Sequence, residues 1–297
     1  MEKSAPPWPL LQIAIEAKSK ADEEKLRIAL RRLAGGNPGF HVRWDEESGQ
    51  TIIAFMDEVE LESIIDRVRH EFNIAVNIGT PQVAYRETIT RSHQRDHTHK
   101  RLFGGAGQFA RVVIKFEPNS HKADFAFQSG IIGDAVPNDY VEGVEKGLLS
   151  ALAAGPFAGF PMIGVKATLV DGDWHQTDSS ALAFEIAGRA CFREAAPRLG
   201  VQLLEPIMKV EVMTPADHVD GIIGELKSRR GHIQDQETRD PDVLINAVVP
   251  LATMSKLEDA LRSLSKGQAR LSTFYSRYAP VPGFDDREPP PAAAMFA

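Results

Sequence analysis

One pattern of apolar residues is written twice in this 297-residue chain, once towards each end, and it constrains the fold more than any single motif. In the first copy Leu11, Ile13 and Ile15 alternate, as a strand with one buried face requires. Leu26, Ala29, Leu30 and Leu33 follow at helical spacing, and Gly35-Gly36-Asn37-Pro38-Gly39 ends the run. Two strand patterns, residues 41–44 and 51–55, flank the polar turn Asp45-Glu46-Glu47-Ser48-Gly49. Leu61, Ile64, Ile65, Val68 and Phe72 mark a second amphipathic helix, and residues 74–78 close with a strand. The order is βαββαβ, the split form of two βα units on one antiparallel sheet.

The second copy runs from residue 207. Strands are expected over residues 207–213, 232–237, 243–249 and 271–278. Val219, Ile222, Ile223 and Leu226 form one helical set ending by Gly231, and Leu257, Ala260, Leu261 and Leu264 form another ending by Gly267. The two copies share no evident side-chain identity, so the repeat is one of architecture. The middle differs. It has an extended basic stretch, strands over 112–117, 125–132 and 165–170, a helix over 140–153 and an alanine-rich helix over 181–199. The chain therefore reads as α+β in three domains, residues 1–81, 82–203 and 204–280. A proline- and alanine-rich tail over 281–297 is expected to be disordered.

Several function classes drop out. A single cysteine, Cys191, excludes an internal disulfide and any multi-cysteine metal site; it sits among Ala187, Gly188, Ala190 and Ala195 and reads as a buried packing thiol. No apolar run approaches the ~18 residues of a membrane span, and residues 1–9 do not read as a signal peptide, so a cytoplasmic protein with no membrane partner is expected. No G-x-x-x-x-G-K-[ST] phosphate loop is present, so no nucleotide cofactor and no catalytic residues are expected. His93, His97 and His99 share a basic stretch. His97 and His99 would face the same side of a strand, but the neighbouring arginines oppose a cation. The expectation is a solvated cationic surface and no metal. Ser179, Ser180, His175 and Asp178 match a hydrolytic triad in composition only, since such groups rarely converge from within six residues.

Net charge is −7, which argues against a generic nucleic-acid binder. Its distribution is more telling. Residues 1–80 carry −4 and residues 204–297 carry −3, whereas residues 81–203 are neutral. Within residues 91–115, six cations (Arg91, Arg95, Lys100, Arg101, Arg111 and Lys115) face one acid, Asp96, around the glycine turn Gly104-Gly105-Ala106-Gly107-Gln108. Such a local excess can hold phosphates on an otherwise acidic chain.

Several strings resemble one family. Lys18-Ser19-Lys20-Ala21-Asp22-Glu23-Glu24-Lys25-Leu26, Asp45 to Ala54 and Pro81-Gln82-Val83-Ala84-Tyr85-Arg86-Glu87-Thr88-Ile89 are similar to the third domain of bacterial elongation factor G. Gly104-Gly105-Ala106-Gly107-Gln108-Phe109 and Asp171 to Ser180 are similar to its fourth domain. Leu204-Glu205-Pro206-Ile207-Met208-Lys209-Val210-Glu211-Val212 and Arg229-Arg230-Gly231-His232-Ile233 are similar to its fifth. The match holds its order from about residue 9 to 278, and the GTPase domain that precedes this region in the family has no counterpart in these residues.

The resemblance implies two ferredoxin-like βαββαβ sandwiches flanking a domain like ribosomal protein S5. It implies a ribosome-binding translocation factor whose fourth domain reaches the tRNA and mRNA. The implied RNA-binding tip residues are Gly104, Gly105, Gly107, Gln108, Phe109, Trp174, His175 and Asp178, with Asp134 and Pro137 from a third tip segment. Arg229, Arg230, Gly231 and His232 would face ribosomal RNA. The implied partners are the ribosome, with its rRNA and tRNA–mRNA, and a separate GTPase domain or protein. The chain also departs from the family. Phe55-Met56-Asp57-Glu58-Val59-Glu60-Leu61-Glu62 stands where Gly-Met-Gly-Glu-Leu-His-Leu-Glu is usual, Ala106 replaces an arginine, and Ser265-Lys266-Gly267-Gln268-Ala269 replaces Thr-Gln-Gly-Arg-Gly. These changes fall on the surfaces implied to face the GTPase domain and RNA, so ordinary GTP-coupled translocation is put in question. The alternative readings are a GTPase-free ribosome protection or regulatory factor, akin in role to tetracycline-resistance proteins, and, more remotely, a metal-dependent hydrolase using the three histidines.

Overall fold

A computed structural model of the chain describes residues 9–45, 50–79, 82–103, 106–119, 125–131 and 136–283. The N-terminal segment forms β1 (Leu11–Ala17), α1 (Glu23–Gly35), β2 (His41–Asp45), β3 (Gln50–Phe55), α2 (Glu58–His70) and β4 (Val76–Ile78). The sheet order is β2-β3-β1-β4, and the short β5 (Gln82–Val83) adds to β1. This is the order that a split βαββαβ chain must adopt. Leu11, Ile13 and Ile15 of β1 are buried, as are Leu26, Ala29, Leu30 and Leu33 of α1 and Leu61, Ile64, Ile65 and Val68 of α2. A 3-10 turn, Lys20–Asp22, precedes α1.

Two of the residues that break the family string have a local reason. Asp57 caps α2, accepting from the Glu60 N–H at 2.8 Å, and the Glu60 carboxylate accepts the Met56 N–H at 2.6 Å. This reciprocal arrangement satisfies two N–H groups at the helix start, close to the capping-box pattern.

The middle segment forms β6 (Arg86–Ile89), β7 (His93–Phe103), β8 (Ala106–Pro118), β9 (Ala126–Ser129), α3 (Asn138–Leu152), β10 (Val165–Asp173) and α4 (Ala181–Ala195). Its four-stranded sheet runs β7-β8-β10-β9. β10 is antiparallel to β8 and parallel to β9, so α3 is the crossover that joins the parallel pair. The basic stretch is therefore one long edge strand. It pairs with β8 from His93↔Phe116 to Phe103↔Ala106, so the regular ladder runs well beyond the expected 112–117.

The core under this sheet is aliphatic and aromatic: Val112, Ile114, Phe116, Val144, Leu148, Ala167, Leu169, Phe184, Ala187, Cys191 and Phe192. Burial pushes the Cys191 thiol up to about 12, which makes it a packing group with little thiolate character. Glu87 is a buried acid in this largely apolar segment. Fully buried, it accepts N–H groups from Phe157, Ala158 and Phe160 at 3.1, 2.8 and 3.1 Å and so fixes the turn between α3 and β10. Burial raises its pKa, with these donors working in the opposite direction.

The last segment forms β11 (Val201–Pro215), α5 (Val219–Ser228), β12 (His232–Arg239), β13 (Asp242–Pro250), α6 (Leu257–Leu264) and β14 (Arg270–Pro280). Its order β12-β13-β11-β14 repeats that of the first sheet, so the twofold pattern in the sequence is a twofold pattern in topology. β11 is longer than expected because it pairs twice. Residues 201–204 lie beside β6, and residues 207–215 lie beside β13. The described residues group into two compact units: up to Ala84 together with Glu205–Ala279, and Tyr85–Leu204. Of the tail expected to be disordered, Val281 donates to the Leu203 carbonyl at 3.1 Å, and residues from 284 on lie outside the described residues.

α3 and α4 meet at glycines. A Cβ built on Gly143 would lie 2.4 Å from the Ala181 carbonyl oxygen, and one on Gly147 would lie 2.1 Å from that of Glu185. Gly224 in α5 has nothing within 4 Å of such a position. Gly147→Ala is therefore expected to destabilise the protein by about 1–3 kcal/mol through overpacking. Gly224→Ala is expected to stabilise it by about 0.5–1 kcal/mol through helix propensity. Denaturant unfolding of the two variants beside wild type checks both signs.

Candidate nucleic-acid interface

Residues 107–109 and the 173–180 loop come together at one end of the middle sheet because β7, β8 and β10 are consecutive neighbours. The Phe109 N–H donates to the Asp178 carbonyl at 2.8 Å, and the Ser179 hydroxyl donates to the Phe109 carbonyl at 2.7 Å. Gly107 leaves room for the Asp178 carboxylate. A Cβ there would sit 2.5 Å from the Asp178 carboxyl carbon. Within the loop, Ser179 Oγ accepts the His175 N–H at 2.8 Å, and Ser180 caps α4 by accepting from Ala183 at 3.2 Å. Tyr140 braces the loop from below. Its hydroxyl donates to the Ser179 carbonyl, and its ring stacks on Phe184 and meets Trp174 edge-on.

The result is a recess of about 260 Å³ lined by Lys100, Arg101, Gln108, Trp174 and His175, with Gly107, Phe109, Asp173 and Asp178 completing it. Seven of the ten tip residues expected from sequence can be placed. Gly107, Gln108, Phe109, Trp174, His175 and Asp178 are brought together here, and Pro137 stands at the head of α3. Gly104, Gly105 and Asp134 lie outside the described residues.

The triad-like set does not act as one. The Ser179 hydroxyl is committed to Phe109, and the His175 ring nitrogen Nδ1 faces the Thr177 hydroxyl at 3.0 Å and the Asp178 carboxylate at 3.4 Å. Among the described residues no group of three or more histidine, cysteine or carboxylate side chains is placed to hold a metal. His99 departs from the solvated surface expected of it. It is 8% exposed, and its Nε2 lies 3.0 Å from Oε1 of Gln108. Periodicity alone could not find this pair, because it joins two strands across the sheet.

Half of the cationic stretch is compensated. Arg95 pairs with Glu194 at 2.6 Å and Lys115 with Glu117 at 2.7 Å, while Arg111 bridges Asp96 at 2.5 Å and Asp171 at 2.9 Å. The Arg111 hydrogen bond holds the Asp171 carboxyl below the usual range. Desolvation works against the charge on Glu194, but hydrogen bonds from Arg95 and His97 outweigh it and keep that carboxyl low as well. Lys100 and Arg101, both exposed beside the recess, have no acidic partner among the described residues. The unpaired cations of the stretch are thus fewer than six, and two of them, Lys100 and Arg101, sit at the tip.

The second set, in the first unit, is arranged differently. Arg229 donates to Glu225 and to the Thr253 and Ser255 carbonyls, each at 2.7 Å, so it ties the end of α5 to the turn before α6. Arg230 has a left-handed φ of 61° and pairs with the buried Glu205. A Cβ on Gly231 would lie 2.4 Å from the Leu226 carbonyl oxygen. His232 is exposed at the start of β12.

Gln108 and His175 differ in what their loss would do to the fold. Gln108→Ala leaves the buried His99 imidazole without its partner and is expected to cost about 1–3 kcal/mol. His175→Ala removes a side chain that is 58% exposed. It is expected to stay within about 0.5 kcal/mol of wild type. Thermal unfolding of the two variants separates the roles.

Comparison with known proteins agrees with this geometry segment by segment. The family model described as Elongation Factor G, domain III matches residues 6–80, that of Elongation factor G, domain IV matches 81–198, and that of the Elongation factor G C-terminus matches 202–288. The crystal structure of ttk003000868 from Thermus thermophilus is similar at a TM-score of 0.72 and 32% identity. The match covers 94% of this chain and 42% of that one, so the chain spans about two-fifths of the length of this relative. Three domain models in unbroken order, with a matching α+β structure, place residues 6–288 of this chain in the elongation factor G family.

Proposed function

We propose that the chain is a ribosome-binding factor that sets the recess at the end of β7, β8 and β10 against the backbone of tRNA and mRNA, and that it does so without a nucleotide site of its own. The observation that carries this reading is the recess itself, which lies in the part matched by the domain IV model. Its rim offers Lys100, Arg101, Gln108, Trp174 and His175, which together supply cations, hydrogen-bond donors and an aromatic face. These are the groups that suit phosphate, ribose and unstacked bases. Gly107 leaves room for the Asp178 carboxylate at the same place.

The charge pattern supports local docking over long-range attraction. Net charge is −7, and the acids that neutralise Arg95, Arg111 and Lys115 leave two free cations at the rim among the described residues. Arg229 is engaged within its own sandwich. For the rRNA-facing role of that corner, His232 and the outer edge of Arg230 are therefore the groups in a position to serve. The GTP-dependent step of a full translocation cycle would come from a separate GTPase domain or protein. No helix among the described residues is long and apolar enough to cross a membrane, and the proposed site of action is the cytoplasm.

Two measurements test the reading. The chain is expected to co-sediment with ribosomes carrying mRNA and tRNA. Binding should weaken roughly tenfold as monovalent salt rises from about 50 to about 200 mM, the slope for about two phosphate contacts. Failure to sediment with ribosomes at the low-salt end overturns the proposal. Isothermal titration of the chain with GTP and magnesium is expected to give no saturable heat, and a saturable isotherm would overturn the nucleotide-free part.

A further inference from the structure

His99 and Gln108 are diagonal neighbours on one face of the β7–β8 ladder. His99 stands opposite Ala110, and Gln108 stands opposite Arg101. Only a methyl group faces the imidazole directly, and a long side chain two residues along can reach it. The contact that results is specific. Nε2 of the buried His99 meets the carboxamide oxygen, Oε1, of Gln108 at 3.0 Å. A carboxamide oxygen only accepts, so Nε2 must carry the proton and donate. The carboxamide has one acceptor end and one donor end. With its oxygen taken, its Nε2 has no hydrogen-bond partner among the described residues, and Gln108 lines the recess beside Lys100 and Arg101.

We infer that His99 is a positioning residue for the tip, holding Gln108 by its oxygen so that the amide nitrogen is presented to the recess as a hydrogen-bond donor. This rests on the proposed RNA-facing role of the recess and adds a selection rule to it. A carboxamide free to turn over offers either an acceptor or a donor, and an outward oxygen would oppose a phosphate oxygen. Locked by His99, it offers donors only, on the same rim as two cations. Two carboxylates, Asp173 and Asp178, share the recess, and each has an acceptor position filled from the neighbouring loop. Asp173 accepts the Trp174 N–H at 2.9 Å, and Asp178 accepts the Thr177 hydroxyl at 3.3 Å. The partner group read by Gln108 is thus an acceptor, such as a phosphate or 2′-hydroxyl oxygen of an RNA backbone.

The test has two arms on the full chain. In the first, the affinity for ribosomes carrying mRNA and tRNA is measured for wild type, His99→Phe, His99→Gln, Gln108→Ala, Gln108→Glu and the His99→Phe/Gln108→Ala double variant. Gln108→Ala is expected to weaken binding by about tenfold, the worth of a hydrogen bond to a charged group. His99→Phe should weaken it by a similar factor, and the double variant should be no worse than either single variant. His99→Gln, whose amide can still donate, should restore most of the affinity. Gln108→Glu keeps an acceptor for His99 but presents no donor, so it should bind worse than Gln108→Ala while melting closer to wild type. Additive losses in the double variant, or no rescue by His99→Gln when that variant melts like wild type, overturn the inference.

The second arm needs neither a variant nor a ribosome. Long-range proton–nitrogen NMR of the wild-type histidines is expected to show His99 with Nε2 protonated. An Nδ1-protonated ring in the neutral state overturns the inference. If the wild type fails to bind ribosomes while His99 shows the Nε2–H form, the positioning contact stands and the RNA-facing reading falls.

Discussion

The close contact of α3 with α4 governs the middle of this protein. Two helix backbones approach until the carbonyl oxygens of Ala181 and Glu185 occupy the space that side chains at Gly143 and Gly147 would need. That contact sets where α4 begins. Ser180 caps α4, and the loop ahead of it carries Trp174, His175 and Asp178. Tyr140, on α3, closes the arrangement by bonding the Ser179 carbonyl and stacking on Phe184. The position of the tip recess therefore follows from helix packing well below it. Small residues at the helix interface let polar residues at its end be held in one geometry.

Charge works in the same layered way. Along β7 and β8 the cations that come early, Arg95, Arg111 and Lys115, are matched by Glu194, Asp96, Asp171 and Glu117. These exposed pairs contribute little to stability individually. Their effect is to leave Lys100 and Arg101 as the cations of this hairpin without an acidic partner among the described residues. A partner with a negative backbone then meets two cations and two carboxylates around one small recess, a balance that favours shape-directed docking over non-specific adsorption.

The two flanking sandwiches share a topology and differ in polar detail. In the first, Asp57 and Glu60 close the start of α2 where the family string has glycine and histidine. In the last, Arg229 and Glu225 close the end of α5. Both sets of residues look, from their sequence, like groups directed at a partner. The first set satisfies N–H groups at the start of α2, and Arg229 satisfies the Thr253 and Ser255 carbonyls of the turn before α6, where unpaired backbone groups would otherwise carry a cost. Glu87 performs a related task in the middle domain, because three N–H groups of one turn converge on its buried carboxylate.

The alternation of Leu11, Ile13 and Ile15 and the helical sets around Leu30, Ile65, Leu226 and Leu261 were legible in the chain itself. Burial periodicity is a local property, and it fixed both βαββαβ units and the α+β class. The glycine turn and the 173–180 loop were legible as candidate tip segments, but only as separate strings. Three features depended on the third dimension. The edge-strand role of residues 93–103 came from pairing with β8, the double pairing of β11 came from β6 and β13, and the partner of His99 came from its diagonal position to Gln108. Each depends on residues distant in sequence or on different strands, and no spacing rule within one segment encodes a partner on another. The sequence by itself determined which faces must be buried. Tertiary structure decided which charges remain free and which end of the Gln108 amide is held, because both depend on what stands across the sheet.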